Sequence, residues 1–448
     1  MAGTSDHVKD WYRSNFELFE SSLNGESKGA LHQLRKEGLH RFLETGFPTT
    51  REEEWRFTNV DPIAKTTFRP VVRLEDQGIT RKDIRAYGLQ DVRSIRLVFL
   101  NGHFEPTLSS AGKLPKGVRV QSLASVIGTE SERLAGTIGR HVAPDANGFA
   151  ALNTAFLQDG AYISVPEQTD LEEPIHLLFV TTKQTEPFAV QPRLLITAGK
   201  GSRVTLVESY VSLADSTHLT NAVAEIIVEE GAVVEHDKLQ NESESAYHIS
   251  SATVHQSTKS VYTSNMISLG GAITRNSLTV LHGGEFVETT LNGLSIGTGT
   301  QLIDTHTTID HAEPNCVSHE LYKTVLDGTS RGVFNGKIYV RQDAQKTDAK
   351  QTNKTLLLSD DATINAKPQL EIFADDVKCT HGATVGQLDA EQVFYLRTRG
   401  IGLDDARDIL TFAFASDVVN RVNVEAVRDQ LEPLIHAKLD RGRGMMPS

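Results

Sequence analysis

The fold is decided by a run in the middle of the chain, Asn276 to Gly297, NSLTVLHGGEFVETTLNGLSIG. Thr, Val, Leu and Ser dominate it, residue types that suit a pleated surface. Turn glycines punctuate the region at Gly270-Gly271, Gly283-Gly284 and Gly297, so Gly270, Gly283 and Gly297 follow one another at intervals of 13 and 14 residues. Short strands at so regular an interval fit a repeating coil. The same texture extends outward on both sides. RLLITAG, SRVTLVESYV, AVAEIIVEEGAVVEH, HISSATVHQ and VYTSNMISLGG precede the run, and QLIDTHTTIDH follows it. Between about residues 195 and 375 no helical period of useful length occurs. A sandwich, a barrel and a β-solenoid all fit such a stretch. Most gaps lack a two-residue hairpin loop, the exceptions being Asn292-Gly293, Asp327-Gly328 and Asn335-Gly336. That scarcity favours the solenoid. Pattern alone leaves the strand direction open.

The flanks read differently. Residues 6–45 show helical spacing in two segments, through Trp11, Phe16, Phe19 and Leu23 and then Leu31, Leu34, Leu39 and Phe42, punctuated at Gly25 and Gly29. Thr50 and Glu53 have the spacing of a capping box. IRLVFLNG at 95–102 reads as a strand and 129–145 as a helix. LNTAFLQDGAYISVPE and PIHLLFV read as strand runs. After Gly386, LDAEQVFYLRTRGIG reads as a helix closed by Gly400 and Gly402. Asp404 or Asp405 is expected to cap the next helix. A third helix is expected to kink or split at Pro433, and the tail RGRGMMPS to be disordered. The expected division is a mainly helical unit at 1–145, a β core at 146–388 and a helical unit at 389–448.

Composition narrows the function classes. The chain has 448 residues, 39% hydrophobic and 23% charged, as soluble globular proteins do. No apolar run approaches the roughly 18 residues of a membrane helix, and the N-terminus lacks the apolar core of a signal peptide. The two cysteines, Cys316 and Cys379, are too few for a disulfide framework. A reduced, cytoplasmic setting is expected. The formal net charge of −13 disfavours nucleic acid and anionic membranes as partners.

The candidate site lies at Ala374–Gly386, ADDVKCTHGATVG. Val377, Cys379, His381, Ala383 and Val385 alternate, so a strand puts them on one face. A thiol and an imidazole then stand roughly 7 Å apart at their backbone, close enough to share a metal or cluster. Thiophilic sites want about four ligands, so the remainder is expected from another chain. The plainer alternative is a small buried hydrophobe beside a hydrogen-bonded histidine.

Three other motifs weigh less. Gly332–Ile338, GVFNGKI, has the flavour of a phosphate-binding loop. It is one residue short between glycines, and Ile338 stands where a magnesium-binding hydroxyl belongs. No nucleotide is expected on this chain. Gly293-Leu294-Ser295-Ile296-Gly297 fits the pattern of a nucleophile elbow, but strand-like sequence follows where a helix is needed. Asp304, His306, Asp310, His311 and His319 crowd one segment with Cys316. Asp304 and His306 share a strand face, which suits a metal site, an acid–base pair or simply a solvated polar ladder.

With these parts laid out, the chain resembles the SufB/SufD family of iron–sulfur cluster assembly scaffolds over most of its length. GFPTTREEEWRFTNV resembles the family's N-terminal motif, and ALNTAFLQDGAYISVP the start of its core. The long block from Ser330 to Asp389, followed by FYLRTRGI, is its most characteristic part. The shortage of core cysteines points to the SufD side of the family. The resemblance implies a right-handed parallel β-helix between helical N- and C-terminal domains. It implies pairing with the paralogue SufB through the β-helices, and one copy of the ATPase SufC on the C-terminal helices. Nucleotide-driven SufC dimerisation would strain the junction where a transient iron–sulfur cluster forms. His381 would then be the ligand or essential residue supplied by this subunit, with Cys379 as neighbour and a SufB cysteine opposite. The isolated chain is open to self-pairing. The expected role is a scaffold and not an enzyme. The alternative is a β-solenoid hydrolase acting on polysaccharide through the acids near Asp304 and Asp310.

Overall fold

The alternating runs form two long parallel sheets that share one coil. The structure, a computed structural model, describes residues 5–23, 29–73, 78–142 and 147–444. The first sheet runs through His218–Val228, Tyr247–Gln256, Ile273–His282, Leu302–His311 and Arg331–Val340 to Thr363–Ile372. The second runs through Val233–Asn241, Val261–Ser268, Glu288–Gly297, Val317–Leu326 and Asp348–Leu357 to Lys378–Gly386. Successive strands in the chain alternate between the sheets, so the chain winds as a parallel β-solenoid. The glycine spacing of 13 and 14 residues is therefore half a coil. A full coil is seen where Ser277, His306 and Asn335 stack at intervals of 29 residues. Gly231 and Gly328 turn corners at φ of 65° and 67°, a region that a Cβ disfavours.

Alternate side chains point into the coil. Val204, Leu206, Ala222, Ala224, Ile226 and Val234 belong to one buried cluster that fills its early turns. Both outer faces are covered. On the first sheet, Leu219 and Ile249 join a cluster with Tyr12, Phe42, Phe47, Trp55 and Phe149 from the N-terminal segment. On the second, Val207, Leu239, Ile267, Leu294 and Val325 pack with Val418, Leu431, Ile435 and Leu439 of the C-terminal helices. The N-terminal segment also lends the strand Ile95–Leu100 to the second sheet, parallel to Ile175–Thr181.

Several local expectations change. Gly148–Ala155 is a helix, because Asn147 caps it by accepting from the backbone of Phe149 and Ala150 and every residue in it is buried. Leu123–Ala135 is the helix expected further on, and residues 136–142 lie beyond it. A short 3₁₀ turn does form at Glu53–Trp55, but Glu52 accepts from the backbone N–H of Thr49, one residue earlier than the Thr50/Glu53 pair suggests. The helices Asp6–Ser22 and Ala30–Thr45 match their segments; Gly25 lies outside the described residues. Asp389 caps Ala390–Thr398. Gly402, and not Asp404 or Asp405, occupies the N-cap position of Leu403–Val419. Glu425–Gly444 runs unbroken through Pro433 and takes in the first half of the tail expected to be disordered. Residues 445–448 lie outside the description.

Candidate functional site at the open end of the coil

The last strand of each sheet has a neighbour on one side only. Thr363–Ile372 pairs with Arg331–Val340, and Lys378–Gly386 pairs with Asp348–Leu357. Their outer edges present unpaired backbone groups, the usual template for another strand. Phe373 and Val385 are 57% and 52% exposed there, costly surface for a strand edge to leave in water.

Cys379 and His381 sit on this terminal strand, and the spacing argument holds: both fall on the face turned toward the coil's interior. Cys379 is in register with buried Ala349, and His381 with buried Gln351. With no further coil above them among the described residues, His381 is exposed and Cys379 half-buried. Cys379 packs beside Leu370 and Val377 on a small core formed by Ile338, Val340 and Ala344. Burial pushes its thiol up, and Asp348 adds to this, while a hydrogen bond from Ala349 opposes it. Among the described residues no three His, Cys, Asp or Glu side chains converge as a metal site. The pair stands together on one face of the coil's terminal strand.

The other candidates go elsewhere. Asp304 and His306 share a face, with His306 Nε2 3.0 Å from Asp304 Oδ1. That face is buried, contrary to a solvated ladder, because the N-terminal motif lies across it. Asp304 pairs with Arg275 and accepts from the Thr58 hydroxyl. Arg275 lies over the Trp55 ring at 3.9 Å, and Glu54 reaches His306 at 3.2 Å. Burial alone would raise the Asp304 carboxyl, but Arg275 and His306 pull it down to about 2. This is a clamp between N-terminal segment and coil. Asp310 pairs with Arg341 at 2.7 Å, His319 is exposed, and His311 faces inward with its Nδ1 3.2 Å from His282 Nδ1. Cys316 is fully buried against the Gly284 carbonyl. The acids and histidines of this segment therefore do not form one site. Gly332–Ile338 is continuous strand, and Ser295 is buried in the strand Glu288–Gly297. Neither has the strand–loop–helix context its motif requires.

Two features lay beyond the sequence reading. The coil's interior carries a buried polar network. Glu208 contacts His236 at 2.8 Å, His236 contacts the Tyr262 hydroxyl at 2.9 Å, and Lys238 donates to Ser250 and Asn276 at 2.7 and 3.0 Å. The alternating polar residues were visible, but not that they face inward. The second feature is Ala390–Thr398, which buries none of its residues and exposes Phe394 and Tyr395. A cleft of about 360 Å³ beside it is lined by Leu358, Leu388, Val393, Phe394, Leu403 and Arg407.

Comparison with known proteins finds matches along most of the chain. Residues 179–414 match the family model described as SUF system FeS cluster assembly, SufBD core domain. Residues 6–177 match the SufBD protein N-terminal region. An iron-sulfur cluster assembly SufBD family protein of Synechocystis is 36% identical over 94% of this chain and 93% of its own length. The iron-sulfur cluster assembly protein SufD of Escherichia coli is 32% identical over 99% of this chain and all of its own length. SufD of Bacillus subtilis is 28% identical over 98% and 99%.

Proposed function

This chain belongs to the SufBD family of the SUF iron–sulfur cluster assembly system, and from that premise we propose how its open end and its C-terminal helices serve that system. It is a scaffold protein of the SufD type, and a polysaccharide hydrolase is not supported. The partner at the open end is SufB, seated edge to edge on Thr363–Ile372 and Lys378–Gly386. SufC, which carries the nucleotide, docks on the helical C-terminal region, where Phe394, Tyr395 and the adjoining cleft offer apolar surface. His381, assisted by Cys379, supplies this chain's part of the shell for the nascent cluster, and SufB supplies the rest. The cluster is cargo, built and passed on.

One observation carries the site: His381 and Cys379 stand on one face of the last strand, at the coil end where both sheets finish in the parallel register on strands paired on one side. Thiolate and imidazole are the donors that hold iron or a cluster, and half a shell at a pairing edge is completed by pairing. Anaerobic reconstitution with SufB and SufC tests it. His381→Ala is expected to lower cluster yield on the order of tenfold, as loss of a ligand does, with assembly of the three proteins intact. Wild-type yield from the variant would remove His381 from the role.

A further inference from the structure

Two inward columns of the second sheet turn polar in the last coils. One runs Leu291, Glu320, Gln351, and the other runs Gly293, Tyr322, Asn353. Gln351 Nε2 donates to Glu320 Oε2, and Asn353 Nδ2 donates to the Tyr322 carbonyl at 3.5 Å. The amide nitrogens are thus turned to the protein, while Glu320 Oε1, Gln351 Oε1 and Asn353 Oδ1 have no protein partner. Nor have the hydroxyls of Tyr322 and Thr355, although each has a hydrogen to give. None of these five residues is more than 4% exposed. Two glycines make room for them. A Cβ on Gly293 would lie 2.2 Å from the Tyr322 ring, and one on Gly336, from the opposite sheet, 2.3 Å from Gln351 Nε2.

The unpartnered atoms of these residues are all oxygen, a carboxylate, two amide carbonyls and two hydroxyls, which is the donor chemistry of a hard cation. Charge selects the kind of cation. Glu320 is the only carboxylate in the set, and the groups that act on it, Gln351 and Thr307, carry no charge. Glu208 and Glu242, the buried carboxylates deeper in the coil, differ in having His236 and the pair His218 and His248 beside them. One positive charge on Glu320 leaves the site neutral, whereas a divalent ion leaves a net charge in the interior, at a high cost. We propose that Glu320, Gln351, Tyr322 and Asn353 hold a monovalent alkali cation, potassium or sodium, inside the coil, with the Thr355 hydroxyl beside them. Amide carbonyls replace the hydration shell of such an ion. The cation supplies the counter-charge that histidines give the deeper carboxylates, and it fixes the last rung beneath the terminal strand, where Gln351 and Asn353 are in register with His381 and Ala383. The site is independent of what His381 and Cys379 bind.

Urea unfolding of the full chain tests this in potassium, sodium or choline chloride at one ionic strength. A cation that binds only the folded chain raises the folded-to-unfolded ratio by up to about tenfold for each tenfold rise in its concentration. That rise is expected as potassium or sodium replaces choline. Equal stability in all three salts overturns the proposal and leaves the oxygens to internal water. Glu320→Gln keeps the shape and removes the charge, so it should abolish the dependence on the alkali ion. A dependence that survives the substitution puts the ion elsewhere and overturns the site. Asn353→Asp adds a second carboxylate and should move the preference from potassium or sodium to calcium; an unchanged preference overturns the charge argument. Crystals of the wild-type chain soaked in thallium(I), a stand-in for potassium, give a readout in which no variant has to fold. An anomalous peak is expected among the oxygens of Glu320, Gln351 and Asn353, and its absence there overturns the proposal.

Discussion

At the scale of single residues, the outer face of the second sheet holds a ladder that converts burial into pH dependence. Asn265 donates to Asp237 Oδ1 at 2.7 Å, Asn292 donates to Asn265 at 2.9 Å, and Arg421 approaches Asn292 at 3.5 Å. The other carboxyl oxygen of Asp237 has no partner. Burial lifts this carboxyl to about 7, helped by Glu235 and opposed by the Asn265 hydrogen bond and His236. The folded chain therefore keeps the proton between the ordinary value of 3.8 and about 7, where the unfolded chain has lost it. More protons on the folded side means stability falls as pH rises through that window. Asp237→Asn keeps the shape and removes the charge, so its stability relative to wild type should improve by about 2 kcal/mol or more between pH 4 and pH 8. Urea melts at the two pH values measure it, and a pH-independent difference would show that the carboxyl is ionised in the fold.

At the scale of elements, the clamp formed by Trp55, Thr58, Arg275, Asp304 and His306 decides where the N-terminal segment lies. Removing one partner of a buried ion pair leaves the other charge uncompensated, a cost of about 3–5 kcal/mol. Arg275→Met should therefore lower stability by about that range and expose the segment 48–60 to proteases while the solenoid stays intact. Protection equal to wild type would mean that the aromatic contacts of Trp55 hold the segment alone. The clamp also marks the reach of sequence reading. That Asp304 and His306 share a face follows from a period of two. What covers the face is set some 250 positions away, at Glu54 and Thr58, and no local pattern carries it. Gly148–Ala155 fails for a related reason. A short run that is buried all round has neither the period of a half-exposed helix nor that of a half-exposed strand, and Asn147 is its one local signal.

At the scale of the whole molecule, the two ends of the coil are unlike. Near its start, the outer strands of both sheets are antiparallel ones: Arg119–Ser122 against Gly160–Val165, and His103–Phe104 against Ile95–Leu100. At the other end, Thr363–Ile372 and Lys378–Gly386 finish in the parallel register of the coils before them, with no further strand paired to them among the described residues. The alternation of Val377 to Val385 was legible because it is local. That this strand is the last rung was not, since its sequence period is the same as that of the covered rungs. Because the edge continues the parallel register, it offers strand backbone with Ile372, Phe373 and Val385 exposed beside it, and a like-built edge is its natural complement. Lysine at such an edge blocks pairing while leaving the rung's own hydrogen bonds in place. The double variant Phe373→Lys/Val385→Lys should thus retain the melting temperature of the isolated chain within a few degrees, since both side chains are more than half exposed. It should also lose co-elution with SufB in size-exclusion chromatography and, with it, cluster yield. Retained co-elution would place the partner on another surface and leave Cys379 and His381 without the neighbour that completes their shell.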